Sequence, residues 1–320
     1  MGAVGQKKEL HISFRPCRDY LIALLPLMIM AVYLYGLRPV FIFLIAVATA
    51  FVCDVLVGAV LKKGYDVSDI SSYMFALIYV LMLPASVRYG IVVLGVAFTV
   101  LIGKYAFGGY GKYPFHPSAF GFAFISVSFP NEIYRYPASF SAIGTGADSG
   151  AALFSGVASS LKYGGVPSID TVDLFLGNYP GPMGTTFCLI ILACMVLFIV
   201  HKTISWQISL AFLATCAAWA AAFPRIQTGS LQSVIYEFLS GAVIFAAVFI
   251  VPEATVTPKN PMAKAIYGIL LGAVTMAFRT FGAYEMGVCF ALLIMSPISS
   301  YLDRTIGSKK KLKYKGGEKA

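Results

Sequence analysis

Charge is what this sequence has least of. Only 12% of its 320 residues are Asp, Glu, Lys or Arg, whereas a soluble domain carries roughly 25%. Acids are scarcer than bases, 14 against 24. Only three histidines occur, and the six cysteines (Cys17, Cys53, Cys188, Cys194, Cys216 and Cys289) form no CxxC pair. A His/Cys metal centre built by this chain alone is therefore not expected, and the cysteines read as small apolar residues inside apolar runs. A nucleophile elbow, a P-loop and a dinucleotide fingerprint are also missing, so nothing supports soluble enzyme chemistry or names a catalytic residue.

Apolar residues are abundant. They make up 59% of the chain, and mean hydropathy is +0.81. Ten runs are long enough to count as spans, at approximately 20–36, 39–61, 70–86, 88–106, 116–130, 184–201, 205–223, 234–251, 263–280 and 284–302. Lipid leaves a bare backbone unsatisfied, so each is expected to be helical. The first lacks a small-residue cleavage site and is expected to remain as a span. The fold class expected is an all-α polytopic membrane protein. With the N-terminus in the cytoplasm, 18 of the 24 Lys and Arg fall on inner segments and six on outer ones. That asymmetry puts both termini in the cytoplasm. The net charge of +10 owes much to the tail from Arg304, which reads as a lipid-surface anchor and not as a nucleic-acid interface.

One long outer segment divides the spans five and five. The expected organisation is a cytoplasmic N-terminal segment (1–19), a first five-helix repeat (20–130), an extracytoplasmic loop (131–183), a second five-helix repeat (184–302) and a basic cytoplasmic tail (303–320). An odd number of spans per half inverts the second half. Echoes between the halves agree with this: Leu81–Pro84 reads LMLP, and Phe249–Pro252 reads FIVP. Inverted repeats with broken helices place sites near the bilayer midplane.

Several local features invite two readings. Gly108–Phe122 (GGYGKYPFHPSAFGF) holds Lys112 and His116. It is either a broken helix whose free amides meet a ligand or a tight cytoplasmic turn. Gly184-Thr185-Thr186 opens the sixth span, where Thr caps free amides by default and a bound anion is an additional use. Asp54 lies inside the second span and is an ion-coupling candidate, although Lys62 nearby allows snorkelling or pairing instead. Asp66 and Asp69 read as solvated. Arg279 and Glu285 flank the last outer turn and read as a surface pair.

These pieces, taken in order along nearly the whole chain, resemble the D subunit of the Rnf complex and, more distantly, the B subunit of the sodium-pumping NADH:quinone reductase. Asp69-Ile70-Ser71-Ser72 leading to LMLP, the Gly108–Ser118 segment and Leu174–Thr186 (LFLGNYPGPMGTT) carry the likeness, with MSPISSYLD near the end. Family asparagines are replaced at Tyr113, His116 and Ser296, and a family glutamate at Thr185. The resemblance implies a bacterial inner-membrane subunit of a redox-driven ion pump, partnered by the other subunits of an Rnf-type complex. Such a pump passes electrons between ferredoxin and NAD while moving Na⁺ or H⁺. It also implies FMN, joined through its phosphate to the Thr of an SGAT motif in the outer loop, and it allows a second, non-covalent flavin.

Here that loop reads GTGADSGAALFSGVASSLKYGG over 144–165. Ala152 and Ala158 stand where the Thr is expected, and neither has a hydroxyl to esterify. Flavin contacts are accordingly expected from Lys112, His116, Ser149, Gly150, Ser155, Gly156, Asn178, Gly184, Thr185 and Thr186. Attachment through Thr145, Ser159 or Thr186 and a loop without flavin are the other readings. Two further function classes fit the same plan: a stand-alone channel or secondary transporter for a small polar solute, and a cofactor-free structural subunit.

Overall fold

The computed structural model describes residues 14–317 apart from 63–66, 147–148, 163, 166, 168, 227–228, 241 and 283–284; beyond residue 306 it describes backbone alone. Asp66 and Asp148 therefore lie outside the described residues. The protein is a mostly helical, multi-pass membrane protein.

In the first half, α1 (Arg15–Tyr35) opens with Pro16 in its first turn, where a missing N–H costs nothing, and ends where Gly36 adopts φ 70°. Helix α2 (Arg38–Val60) repeats the device with Pro39. Both are long and apolar enough to cross a bilayer unaided. Helix α3 (Ser71–Leu81) is only 11 residues long, and every residue except Tyr73 is buried. Helix α4 (Tyr89–Ala97) continues as a π-helix over Phe98–Tyr105. Three turn glycines with positive φ (Gly108, Gly109 and Gly111) then lead into α5, Pro117–Ser128.

The long segment between the two halves, expected on the outer side, is structured. It holds α6 (Pro130–Ile133), a two-stranded antiparallel ribbon of β1 (Arg135–Pro137) and β2 (Leu153–Ser155), α7 (Val157–Lys162) and α8 (Thr171–Leu176). In the ribbon Tyr136 faces Phe154, and Arg135 faces Ser155.

The second half holds α9 (Cys188–Val200), α10 (Trp206–Ala222), α11 (Ser230–Leu239), α12 (Val243–Phe249), α13 (Pro261–Phe281) and α14 (Gly287–Gly317). The run expected to be a single eighth span is broken, with α11 and α12 bent by 56°. Helix α14 contains Pro297 and runs past residue 302 into the basic tail.

The two Pro-ended echoes fold as the two short buried helices: α3 stops before Pro84, and all seven residues of α12, which precedes Pro252, are buried. Irregular backbone at such depth survives only when protein satisfies it. Chain from the outer segment does so for α3, where the amides of Met183 and Gly184 donate to the carbonyls of Leu83 (3.0 Å) and Leu81 (2.8 Å). Gly184 is required there, since a Cβ would lie 2.6 Å from that of Leu81.

Close helix approach in a membrane needs small residues, because lipid gives no hydrophobic push. Gly268 and Gly272 form such a pair on α13. A Cβ on the first would stand 2.7 Å from the carbonyl oxygen of Ile208, and one on the second 2.9 Å from Thr215 Cβ, both on α10. All six cysteines are buried free thiols, as their apolar surroundings in the sequence lead one to expect.

Candidate functional site

Four groups of polar residues are set into this apolar frame. The first joins α2, the start of α3 and the π-helix. Ser72 donates to Asp54 at 2.6 Å, and Lys104 Nζ donates to Ser72 Oγ at 2.6 Å. Lys104 also lies 2.7 Å from Asp69 and 4.0 Å from Asp54. Lys104 is fully enclosed, whereas the Asp69 side chain keeps 15% of its surface exposed. A polar chain thus runs from a carboxylate near water to Asp54 in the interior. Asp54 is paired with its neighbours and does not snorkel alone. Asp69 is half of an ion pair, not the solvated loop-edge residue expected. The π-helix aims Lys104 here, a common use of that irregularity.

The second group lies between α10, α11 and α13. Glu237 forms ion pairs with Arg225 Nε at 3.0 Å and with Arg279 Nη2 at 2.9 Å, and Arg279 donates a hydrogen bond to the Ser240 carbonyl at 2.9 Å. The expected surface pair between Arg279 and Glu285 is not made. Arg279 turns inward because Glu237 offers a desolvated partner there, and a buried guanidinium needs one.

In the third group, Glu253 sits fully buried in the turn between α12 and α13. It accepts hydrogen bonds from Tyr113 (3.3 Å) and Thr255, and it has no cationic partner among the described residues. Burial pushes its carboxyl up to about 7.

The fourth group fixes the outer loop. Arg38 is fully buried and donates to a set of carbonyls: Ala85 (2.9 Å), Ser86 (3.4 Å) and Val87 (3.0 Å) after α3, and Gly144 and Gly146 (2.8 Å) in the loop. Tyr89, whose ring lies 4.9 Å from that guanidinium, donates to the Thr145 carbonyl at 2.7 Å. Further along, Tyr136 donates to Glu285 at 2.9 Å. Gly156 lets them meet, for a Cβ would stand 2.8 Å from the Tyr136 ring and 2.9 Å from the Glu285 carboxylate. Burial raises Glu285 to about 7, opposed by Tyr136, Arg279 and the Ser159 amide.

The residues expected to hold flavin do not converge on one point. Ser149 and Gly150 lie on a partly exposed turn closed by Gly144 N–H to Ser149 O, and Gly150 has φ 62°. Ser155 is exposed in β2, and Gly156 is buried beside it. Asn178 is exposed and donates to Asp173 at 3.3 Å. Gly184, Thr185 and Thr186 are buried under the end of α3. Toward the other end of that helix, His116 packs edge-on against Phe75 at 5.5 Å, and Lys112 is exposed.

The capping role expected of Thr185 and Thr186 is not what they perform. Helix α9 begins at Cys188 with Phe187 as N-cap and no side-chain cap. Both Thr hydroxyls and both His116 ring nitrogens are buried without a hydrogen-bond partner. Such groups are costly unless something fills their bonds.

Sequence reasoning missed Lys104, Arg38 and Glu253 as interior polar groups. Lys104 did carry a signal, since it lies inside the 88–106 run and an ionisable residue there is a site candidate; Arg38 and Glu253 lie between runs and carried none.

Buried ion networks, short broken helices and apolar spanning helices define a multi-pass membrane protein of the kind that handles ions. The chain belongs to the NQR2, RnfD, RnfE family, whose sequence model it matches over residues 12–311. It is 26% identical over 314 residues to a protein of Actinobacillus succinogenes named as the D subunit of an ion-translocating oxidoreductase complex, covering 88% of each chain. A protein of the same name from Haemophilus influenzae is 28% identical over 321 residues, covering 86% of this chain and 87% of the relative. A protein of Clostridium ljungdahlii, named as the D subunit of a proton-translocating ferredoxin:NAD(+) oxidoreductase complex, is 24% identical over 287 residues, covering 88% and 87%.

Proposed function

We propose that this chain is the D-type membrane subunit of an Rnf-type complex that couples electron transfer between ferredoxin and NAD to Na⁺ or H⁺ movement. The family match over 12–311 carries this reading, joined by relatives that bear that name over nearly their full lengths. The test is to purify the chain from its own membranes and to assay inverted vesicles. Partner subunits should co-purify, and ferredoxin-driven NAD reduction should acidify or load the vesicles with Na⁺. A chain that purifies alone and moves a neutral solute would overturn the reading.

The same proposal includes ten spans in two inverted five-helix repeats, in a bacterial inner membrane with both termini cytoplasmic. Three observations support it. Lys and Arg divide 18 to 6 between the two sides. Helix α2 packs on α3 and α4 as α10 packs on α12 and α13. Each half also has one buried ion network, at Asp54–Lys104 and at Glu237–Arg279. Asp54 is the proposed coupling group, with Ser72, Lys104 and Asp69 as its route to water.

A phosphoester-linked FMN does not fit the two positions where the attachment Thr is expected, because Ala152 and Ala158 lack the oxygen that the bond requires. We propose that the loop holds FMN without a covalent link. Ser149, Gly150, Ser155, Gly156, Asn178 and the 184–186 segment are the candidate donors, and the unfilled hydroxyls of Thr185 and Thr186 support this choice. Lys112 and His116, at the far end of α3, are the candidates for a second flavin. Bound flavin would supply one- and two-electron redox chemistry. The chain's own part is to fix the loop through Arg38, Tyr89 and Glu285. A denaturing gel should show no flavin fluorescence on this band, and acid extraction of the native protein should release FMN. Absence of FMN from both would favour a structural subunit.

A further inference from the structure

At the end of the molecule where α1 begins, its first turn and the turn after α9 enclose a cavity of about 410 Å³. Arg15, Arg18, Asp19, His201, Lys202 and Thr203 line it. Its charge is one-sided. Asp19 is engaged, accepting the Thr203 hydroxyl at 2.8 Å and lying 3.8 Å from His201 Nδ1. Arg15, Arg18 and Lys202 are exposed and have no acidic partner among the described residues. Three fixed cations therefore face one occupied carboxylate, at the level where the apolar part of α1 starts.

One of the cavity's cations, Arg18, also heads an apolar track along α1. Arg18, Ile22, Leu25 and Ile29 recur at helical spacing and share one face of α1. The three apolar members of that face are exposed by 49%, 53% and 67%. Farther along α1, Leu25, Ile29 and Val32 form one wall of a groove of about 420 Å³ between α1 and α2, opposite Val40, Leu44 and Val47; it begins about 10 Å along the helix from Arg18. From Arg18 to Ile29 the helix rises about 16 Å, close to half of the ~30 Å hydrocarbon thickness. Cations at one end of this face and an apolar groove farther along it make a shape with two chemistries.

We propose that this cavity and groove together hold one anionic phospholipid. Its phosphate and headgroup lie among Arg15, Arg18 and Lys202, and one acyl chain lies along Ile22, Leu25 and Ile29. An acidic peptide or free phosphate would satisfy the cations and leave the groove unused; a zwitterionic lipid would fill the groove and leave the cations under-neutralised. The inference rests on the chain's spanning a membrane and not on the redox reading, so either can fail alone.

The test uses the full chain in its membrane complex, stripped of lipid by detergent washing and then supplied with phosphatidylglycerol, phosphatidylcholine or inorganic phosphate. Lipid retention is read by native mass spectrometry and stabilisation by thermal melting. Phosphatidylglycerol should be retained and should raise the melting temperature, while phosphatidylcholine and phosphate do neither. Each cation lost should weaken retention about fivefold, so Arg18→Gln combined with Lys202→Gln should weaken it about 25-fold. Both residues are exposed, so the fold should survive. Lys162→Gln, an exposed cation on α7 far from the cavity in sequence and in no lipid-binding role, should leave retention unchanged. Leu25→Trp should block the groove and also lower retention. Equal retention of the two lipids, indifference to the double variant, or displacement of phosphatidylglycerol by millimolar-order phosphate would each overturn the proposal.

Discussion

Tyr136 and Glu285 are 149 positions apart in sequence, and the tyrosine hydroxyl donates to the carboxylate at 2.9 Å. This contact docks the outer ribbon onto the turn between α13 and α14. Because burial raises Glu285 to about 7 from an ordinary 4.5, the native state holds that proton more tightly than the unfolded chain does. The stabilisation is fully present below about pH 4.5 and is lost as pH rises through 7. Amide exchange over residues 153–162, corrected for its intrinsic pH dependence, should therefore show less protection at about pH 8 than at about pH 5.5. Glu285→Gln should flatten that difference. Protection that rises with pH would show that the Tyr136 hydrogen bond to the ionised carboxylate outweighs the cost of burying its charge.

In the first ion network, the two ends should respond differently to substitution. Lys104→Met leaves Asp54 and Asp69 without their shared cation in a site where Lys104 is fully enclosed. Breaking one side of a buried pair costs about 3–5 kcal/mol, so yield and melting temperature should fall. Asp54→Asn keeps an oxygen for the Ser72 hydroxyl and removes only charge. It should leave the complex assembled and reduce ion transport. Unchanged pumping in Asp54→Asn vesicles would remove Asp54 from the ion route.

The second network separates breaking from replacing. Arg279→Met strands Glu237 with Arg225 alone and should destabilise by about 3–5 kcal/mol. Replacing Glu237 and Arg225 by Met as well should recover part of that loss, because three apolar side chains then replace the whole network and no buried charge is left without its partner. A triple variant as unstable as the sum of the single ones would show that the network does not act as a unit.

How much of this was legible in the sequence follows from range. The spanning helices, the break positions and the inward cysteines are local properties of apolar runs and their punctuation, and the Pro-ended echoes did mark the two short buried helices. Pairings were not legible. Arg279 has Glu285 six residues away, yet it reaches Glu237, 42 residues back, because burial and not sequence distance sets the partner. Arg38 looked like one more outer charge, and its carbonyl clamp needs loop residues more than 100 positions away. The outer segment hid its ribbon because three-residue strands leave almost no periodic signal. Thr185 and Thr186 looked like caps because the helix start was misplaced by a few residues, which is where sequence patterns discriminate least.

Packing at α10 and α13 gives a test that does not depend on function. Gly268→Leu must push a side chain into the Ile208 carbonyl, where even a Cβ stands 2.7 Å away. Backbone cannot yield as a flexible side chain would, so the helices must separate. A loss of at least ~1–3 kcal/mol is expected, read as a lower melting temperature in detergent. Gly36→Ala meets nothing within 4 Å, although its φ of 70° makes it mildly unfavourable; it should cost less. Equal melting temperatures for the two variants would argue against close packing at Gly268.

Burial also separates Ala152 and Ala158, the two alanines that stand where the family resemblance implies an FMN-bearing Thr. Ala152 is exposed just before β2, whereas Ala158 is 7% exposed on the packed side of α7 with Val157 and Leu161. A transferase must bring an FMN phosphate to a hydroxyl in an accessible, extended segment, and only Ala152 offers one. Ala152→Thr also completes the family's SGAT pattern after Ser149, Gly150 and Ala151. Expressed in a host that carries the flavin transferase, Ala152→Thr should yield a fluorescent band on a denaturing gel. Ala158→Thr should yield none, because its hydroxyl would point into the core beneath the loop. Fluorescence from Ala158→Thr alone would place the anchor on α7 and require that helix to lift from the protein before the flavin is attached.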